Sequence, residues 1–386
     1  MSFHACYLQA FVKHLKPGDE VRLQNGRIDD LDLSLSCDGT QDRPITIRPD
    51  FPGELVLTGG SRVSVVGSHL RLLHLRFEDT TSDVVLSVTG AGNRVSDCAF
   101  VGCGPSTVRI GSTENRIDHC DINGLREITI TGSGNCIDHT RITNAVVRLE
   151  HEENAAHDNA FVDACLTVGG TSNSVVRNTF RGERSCVSVE DGCADAVVSG
   201  NLFCDNDTGT KLRGSANDVL VSHNAFANTT SPHVICGEEV RATITTNEYR
   251  DCGPDVARFA SHSAQKNTTG IAFTNNAIYD GDANDGGFVF RPERIRYSSN
   301  VLYSGRHTDT VPGVLHLHAN AMDGGQTDNK SFGHDETHNG GLTSRHNVGS
   351  TQLFRPVIDF NRSLRSGYAK AIRQDTGGVG GLEGLD

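Results

Sequence analysis

A repeated pattern runs through most of this chain and limits the folds open to it. An asparagine followed two positions later by a bulky apolar or aromatic residue returns at intervals of 19 to 29 residues. These asparagines are Asn159, Asn178, Asn201, Asn224, Asn247, Asn276 and Asn300. Upstream, the bulky residue returns at intervals of 20 to 23 residues without the asparagine, at Phe77, Phe100, Ile122 and Ile142. Such a period predicts a solenoid, in which each unit buries its apolar face only against its neighbours.

Two classes of solenoid fit a period of this length. Leucine-rich repeats need a regular Leu-x-x-Leu-x-Leu frame, which the chain lacks. Each unit instead has three short runs rich in Val and Ile, separated by Gly, Asp and Asn. The sequence therefore predicts an all-β fold, a single-domain right-handed parallel β-helix, in which the asparagines of successive coils stack and hydrogen-bond.

The ends of the chain depart from the repeat. Leu8, Phe11, Val12 and Leu15 have helical spacing before Pro17-Gly18, so residues 1–18 are predicted to form an N-terminal helical cap. The β-helix is predicted over residues 19–305. Residues 306–386 are rich in Gly, Asp and Asn and are predicted to form irregular coils and a flexible tail. Two histidines of this segment, in the run HDETH, suggest a metal site, but no helical pattern surrounds them and a loop is the favoured interpretation.

Charge, hydropathy and cysteines narrow the class of protein. A net charge of -13 argues against general binding of nucleic acid, although a local basic groove can still hold an acidic ligand. No apolar run has the length of a membrane span, and no signal peptide is visible, so either the chain stays inside the cell or a signal has been removed. The twelve cysteines fall mostly one per coil beside strand runs, which favours reduced, buried thiols over a disulfide framework.

The sharpest candidate for chemistry is the run Lys211-Leu212-Arg213. Alternate residues of a strand share a face, so an inward Leu212 places Lys211 and Arg213 outward together. Two cations this close favour the neutral form of the weaker one, which suits a lysine that accepts a proton. β-Elimination on a uronic acid polymer needs such a base, together with a cation to neutralise the carboxylate and a donor for the leaving oxygen. Water, His233 and Tyr249 are the candidate donors.

The opening of the chain resembles a known family. The runs LQAFVKHLKPGDEVRLQNG, GTQDRPITIRP and GGSRVSVVGSHLRLLHLRF, with the coil ends NTFRGERS and NEYRDCGPDVARFASH, are similar to polysaccharide lyase family 6, the alginate lyases and chondroitinase B. The resemblance implies a right-handed parallel β-helix, cleavage of alginate-like or dermatan-like uronans, a calcium ion that neutralises the uronate, a lysine base and an arginine acid.

The catalytic pattern of that family, Gly-Glu-x-Glu with a lysine and then Leu-Arg-x-Gly one coil later, can be placed in two registers. In the first, Gly182-Glu183 and Leu212-Arg213-Gly214 match, Ser185 replaces the second glutamate and Glu190 stands near the lysine position. In the second, Lys211 is the lysine, Arg258 matches a substrate-binding arginine and Cys236 stands at the arginine position. Neither register supplies paired carboxylates, so any calcium binding is expected to be weak. The nearest substitutes are Asn173, Glu183, Glu238 and Glu239.

These residues lead to a sequence-based hypothesis and its alternatives. The chain is predicted to be a lyase acting on an acidic polysaccharide, with Lys211 and Arg213 as catalytic residues and Arg258, His233 and His262 as substrate-binding residues. A non-catalytic β-helix that binds glycans or serves in structure or attachment is the alternative, and a uronan C5-epimerase is a third. The sequence does not fix the polymer or the oligomeric state.

Overall fold

The computed structural model is an all-β parallel β-solenoid with one short N-terminal helix. It describes residues 2–3, 5–229, 234–237, 240–252, 255–259, 271–274, 276–280, 287–290, 295–298, 301–304 and 330–332. The chain divides into two compact units, the first built on Met1–Ala164 and the second on Cys165–Gln374. The fold class predicted from the repeat is confirmed. The boundaries proposed at residues 18 and 305 stay a prediction, and residues 306–386 lie almost wholly outside the described residues.

The first unit contains helix α1 (Ala5–Phe11), a 3₁₀ helix (Val12–His14) and strands β1 to β21. In chain order these strands are Ser2–Phe3, Glu20–Leu23, Gly26–Asp29, Asp32–Leu35, Ile45–Pro49, Leu55–Gly59, Arg62–Val65, Leu70–Leu73, Arg76–Thr80, Val84–Val88, Arg94–Ser96, Ala99–Val101, Thr107–Ile110, Arg116–Asp118, Asp121–Asn123, Glu127–Ile130, Cys136–Asp138, Arg141–Thr143, Val146–Leu149, Ala155–His157 and Ala160–Val162.

The second unit contains strands β22 to β40. In chain order they are Cys165–Val168, Ser174–Val176, Thr179–Arg181, Cys186–Val189, Val197–Ser199, Leu202–Cys204, Thr210–Leu212, Val219–Ser222, Ala225–Thr229, Val234–Cys236, Ala242–Thr245, Glu248–Cys252, Asp255–Phe259, Ile271–Thr274, Ala277–Asp280, Gly287–Phe290, Ile295–Ser298, Val301–Ser304 and Lys330–Phe332.

Each coil gives one strand to each of three parallel sheets, so most strands pair with the strand three positions along the chain; at the ends, β1 pairs with β2 and β39 with β40. In the first unit, sheet A contains β11, β14, β17 and β20, and sheets B and C are built in the same way. In the second unit, β25, β28 and β31 are successive members of one sheet. Burial alternates along the strands, as in β7, where Val63 and Val65 point inward. Stacked apolar side chains therefore fill the interior, and polar side chains of neighbouring coils lie side by side outside.

The predicted asparagine ladder is present in the second unit. The backbone N–H of Asn178 donates to Oδ1 of Asn201 at 2.9 Å, and the same bond repeats from Asn201 to Asn224, from Asn224 to Asn247 and from Asn247 to Asn276. All five side chains are buried. Beside the ladder, the rings of Phe180, Phe203, Phe226 and Tyr249 stack with centroids 4.7 to 4.9 Å apart. The predicted Asn300 lies outside the described residues.

A second ladder, which the sequence analysis did not identify, lies in the first unit. The backbone N–H groups of Asn93, Asn115 and Asn135 donate to Oδ1 of Asn115, Asn135 and Asn154 in turn, at 2.8 to 2.9 Å. All four side chains are buried. Each amide satisfies backbone groups at the turn where it lies, which removes the cost of burying them unpaired.

The N-terminal helix is shorter than the predicted segment and presents a narrower apolar face. Leu8 and Val12 are buried as predicted, but Phe11 is exposed, because α1 ends there and a 3₁₀ turn follows. Oε1 of Gln9 accepts a hydrogen bond of 2.7 Å from the backbone N–H of Ser34 on β4. Since β4 is the first strand of its sheet, the helix satisfies part of an edge that would otherwise be open to pairing. Among the described residues, no helix is long and apolar enough to cross a membrane.

Candidate active site

The candidate catalytic pair lies at the end of strand β28, with Lys211 in the strand and Arg213 directly after it. Leu212, 1% exposed, points into the core, while Lys211 before it is half-buried and Arg213 after it is exposed. In the sheet, Lys211 stands in register with Ser188 on β25 and Ile235 on β31. The inward leucine therefore leaves the two cations on the solvent side of one strand end, where an extended polymer could reach both.

The two cations differ in their partners. Arg213 has a side chain 57% exposed, and its Nε lies 3.9 Å from Oε1 of Glu190. Oε1 of Glu190 also accepts a hydrogen bond of 2.9 Å from Oγ of Ser188. No carboxylate in the described part of the chain lies within ion-pair distance of Lys211. The site thus offers one cation without a carboxylate partner and one in a long, solvent-screened ion pair.

Two cysteines lie close to these cations, a feature that the sequence analysis did not identify. Cys165 on β22 is in register with Cys186 on β25, and their Sγ atoms are 2.7 Å apart. The hydrogen bond with Cys165 lowers the pKa of Cys186, burial raises it, and the positive charges of Lys211 and Arg213 lower it again. The prediction of buried thiols is wrong for this pair and for Cys136, which are half-buried. Each of the three cysteines begins its strand directly before an inward residue, so alternation along the strand places the thiol on the outer face.

The other predicted site residues have different outcomes. Arg258 lies on β34 (Asp255–Phe259) in register with Ile235, which in turn is in register with Lys211, so it occupies the same strand position two coils later. His233 and His262 lie outside the described residues. Tyr249 is wrong as a proton donor, because its ring is fully buried and stacks on Phe226 at 4.9 Å.

Of the four residues proposed to replace the family's calcium ligands, the two that the structure describes, Asn173 and Glu183, do not form a calcium site by themselves. Asn173 is buried, and its Nδ2 donates to the backbone carbonyl of Gly169. Glu183 is exposed, and Ser185, at the second glutamate position, is buried and donates to the carbonyl of Arg181 at 2.5 Å. Glu238 and Glu239 lie outside the described residues. Ca²⁺ requires six or more oxygen ligands, which these described groups do not supply together, so no step below uses calcium.

The two catalytic registers can also be located in the fold. Val189 on β25 pairs with Leu212 on β28, and the residues that follow them are Glu190 and Arg213. Glu190, at the lysine position of the first catalytic register, is therefore an acidic partner of Arg213. Cys236, at the arginine position of the second register, is in register with Leu212 and points into the core.

Comparison with known proteins supports the family resemblance and the fold. Residues 4–144 match the family model described as Chondroitinase B. No curated protein sequence matches the chain. A mannuronic acid specific polysaccharide family 6 lyase from the human gut microbiota aligns with a TM-score of 0.68 and 15% identity, covering 98% of each chain.

Two further solved structures share the fold. A family 6 polysaccharide lyase from Pseudopedobacter saltans aligns with a TM-score of 0.61 and 14% identity, over 83% of this chain and 96% of that one. The tailspike protein of E. coli bacteriophage HK620, in complex with a pentasaccharide, aligns with a TM-score of 0.57 and 11% identity, over 88% of this chain and 73% of that one. The resemblance to polysaccharide lyase family 6 is therefore confirmed by the match to chondroitinase B over residues 4–144 and by a shared parallel β-solenoid fold.

Proposed function

We propose that this chain is a polysaccharide lyase that cleaves a uronic-acid-containing polysaccharide by β-elimination. The observation that carries the proposal is the pair Lys211 and Arg213, held on the solvent side of β28 by the buried Leu212 between them. The match to Chondroitinase B over residues 4–144 and the fold shared with family 6 lyases support the reaction class. The pair itself lies outside the matched residues, so its role rests on its geometry.

The proposed reaction assigns one task to each cation. Arg213 binds the uronate carboxylate, whose neutralisation makes the adjacent C5–H more acidic. Lys211, as the neutral amine, accepts the C5 proton. The C5–H electron pair becomes the C4=C5 double bond, the C4–O4 bond breaks, and O4 takes a proton from water. The products are an unsaturated sugar end and a free hydroxyl end.

Neighbouring coils extend the proposed site. Arg258 occupies the strand position of Lys211 two coils later, a spacing of about 10 Å for strands roughly 4.8 Å apart. We assign Arg258 to the carboxylate of another sugar of the same polymer. His233 and His262 complete the proposed substrate-binding set on the basis of the sequence alone.

The test is a product scan on alginate, dermatan and pectic polymers, following the ultraviolet absorbance of the new double bond. Lys211→Ala and Arg213→Ala should each lower the rate by at least about a hundredfold, the scale of a positioned base or charge clamp. Arg241→Ala is the matched control, since Arg241 is also 57% exposed in the second unit and lies 3.5 Å from Asp218. A wild-type protein that releases no unsaturated product from any uronan would exclude the lyase.

A glycan-binding protein is the second candidate, and one contact favours it. Glu190 lies at the lysine position of one register and pairs with Arg213, which reduces the charge available to a substrate carboxylate. The similar tailspike structure holds a pentasaccharide on the same type of fold. Retention on an immobilised uronan without any unsaturated product would support binding. Exchange of the C5 hydrogen with solvent, again without unsaturated product, would support the C5-epimerase.

A further inference from the structure

The outer face of sheet A in the first unit holds a cluster that the proposed lyase reaction does not use. Cys136 and Asp138 lie on β17, and His157 lies on β20 in register with Asp138. Their Sγ, carboxylate oxygen and imidazole nitrogen atoms all lie within 4.8 Å of one another. We propose that Cys136, Asp138 and His157 form a binding site for a borderline-soft divalent metal ion, with Zn²⁺ as the best fit.

The distances suit a tetrahedral ion. Sγ of Cys136 lies 3.2 Å from Nε2 of His157 and 3.4 Å from Oδ1 of Asp138. Two ligands bound tetrahedrally at about 2.3 Å for sulfur and about 2.0–2.2 Å for nitrogen or oxygen are separated by about 3.5 Å. Both separations from the sulfur are therefore close to those required. The imidazole nitrogen and the carboxylate oxygen lie within 4.8 Å of each other, and binding of one ion would bring them closer together.

A neighbouring carboxylate orients the histidine for this role. Nδ1 of His157 lies 2.9 Å from Oδ2 of Asp158. The carboxylate holds the proton on Nδ1, which leaves the lone pair on Nε2, the nitrogen that faces Cys136. A carboxylate behind a ligating imidazole is the usual second partner of a zinc-bound histidine and raises its basicity.

The carboxylate ligand is fixed in the same way. Asp138 is fully buried, and its oxygens accept hydrogen bonds from Nε and Nη2 of Arg116 at 2.8 and 2.6 Å. Nδ1 of His139 lies 2.6 Å from Oδ2. Oδ1 therefore has one guanidinium partner and keeps a lone pair towards Cys136. Cys136, Asp138 and His157 supply three ligands to a tetrahedral ion. Because Cys136 and His157 are both half-exposed, water can occupy the fourth position.

The arrangement departs from its own neighbours in the sheet. Positions equivalent to Cys136 and His157 in the two preceding coil pairs hold arginine and aspartate, in the ion pairs Arg94–Asp118 and Arg116–Asp138. At the third pair, a thiol and an imidazole replace them. Thiolate and imidazole together select Zn²⁺ and its neighbours in the first transition row over Ca²⁺ and Mg²⁺. The competing explanation is a simple S–H···N hydrogen bond that continues the row of polar contacts.

Cobalt titration separates the two explanations. The protein is first freed of metal with a chelator and is kept reduced throughout. One equivalent of Co²⁺ should produce a thiolate-to-cobalt absorption band, and Zn²⁺ but not Ca²⁺ should displace it. Cys136→Ser should abolish the band while keeping the hydrogen bond to His157. His157→Gln should weaken cobalt binding more than tenfold, and Asp158→Asn by about tenfold, the usual effect of losing a second partner.

The controls remove a thiol or an imidazole from outside the cluster. Cys186→Ser removes another half-buried cysteine, and His119→Ala removes a histidine that stacks on His139 at 5.1 Å without belonging to the ligand set. Both should keep the band and the cobalt affinity. A wild-type protein without the band, or a Cys136→Ser protein that retains it, would overturn the site. Circular dichroism of Cys136→Ser checks that its fold is intact, and if it is not, loss of one bound equivalent of Zn²⁺ in Cys136→Ala decides the same question.

Discussion

Two pairs of outward cations, one pair in each unit, differ in their partners. In the first unit, Arg94 and Arg116 each donate two hydrogen bonds to a fully buried aspartate of the next coil. In the second unit, Lys211 has no carboxylate partner among the described residues and Arg213 has one at 3.9 Å. Arg94 and Arg116 are therefore committed to the fold, while Lys211 and Arg213 remain available to an anionic ligand.

The difference follows from burial. A buried carboxylate costs several kcal/mol unless it is paired, so Asp118 and Asp138 require their arginines. Burial raises the pKa of each aspartate, but the hydrogen bonds from arginine and from the adjacent histidine outweigh it and hold the pKa below its usual value. Among the described residues, no buried carboxylate pairs with Lys211 or Arg213. A charged residue on a β-helix is thus a candidate for function when no buried group of the next coil requires its charge as a partner.

The largest expected effect tests the asparagine ladder, a feature that both units contain. Asn224→Leu removes the acceptor of the Asn201 N–H and the donor to the Val198 carbonyl, both at 2.9 Å, and should destabilise the protein by about 3–5 kcal/mol. Asn135→Leu in the first unit should have an effect of the same size, because Oδ1 of Asn135 accepts from the Asn115 N–H at 2.9 Å and its Nδ2 donates to the Thr131 carbonyl at 2.8 Å. Urea denaturation measures both. A loss below about 1 kcal/mol in either variant would show that its ladder is replaceable.

The next effect tests whether Lys211 acts as a base or only as a charge. Lys211→Arg keeps the positive charge, but a guanidinium does not deprotonate in proteins and so cannot accept the C5 proton. We expect kcat on a cleaved uronan to fall by at least about a hundredfold, as for Lys211→Ala, while KM changes little. The midpoint of urea denaturation should match the wild type, since the side chain has no carboxylate partner among the residues that the structure describes. A Lys211→Arg protein with nearly full activity would reassign Lys211 to binding the carboxylate.

The fold could be predicted from the sequence because the interior depends on one coil at a time. The repeat places Asn201, Asn224 and Asn247 at the same point of successive coils, and their mutual bonds follow. The second ladder was within reach of the same reasoning, since Asn93, Asn115, Asn135 and Asn154 recur at intervals of 22, 20 and 19 residues. Asn93, Asn115 and Asn135 even have a bulky apolar residue two positions later, but they lie out of phase with the row of Phe77, Phe100, Ile122 and Ile142 that defined the upstream repeat.

The outer face could be predicted only within a single strand. Alternation along β28 correctly indicated an inward Leu212 between two outward cations, because it depends on three consecutive residues. Contacts between coils depend on a register that varies with coil length. The pairing of Glu190 with Arg213, the thiol pair Cys165–Cys186 and the contact of Cys136 with His157 all cross from one coil to the next. No spacing within one strand indicates them.

The smallest expected effect tests how much the ion pair of Arg94 with the buried Asp118 contributes to stability. Arg94→Ala should destabilise the protein by about 1–3 kcal/mol, because Asp118 stays buried and keeps only the histidine beside it; the partial exposure of Arg94 holds the effect below that of a fully buried pair. Arg62→Ala is the matched control, since Arg62 pairs with Asp32 where both side chains are 61% exposed, and it should change stability by less than about 1 kcal/mol. Urea midpoints of the two variants, measured beside Arg213→Ala, make the comparison direct. Equal losses for Arg94→Ala and Arg213→Ala would mean that pairing with a buried aspartate does not distinguish the two arginines, and the assignment of Lys211 and Arg213 to a ligand would then depend on activity alone.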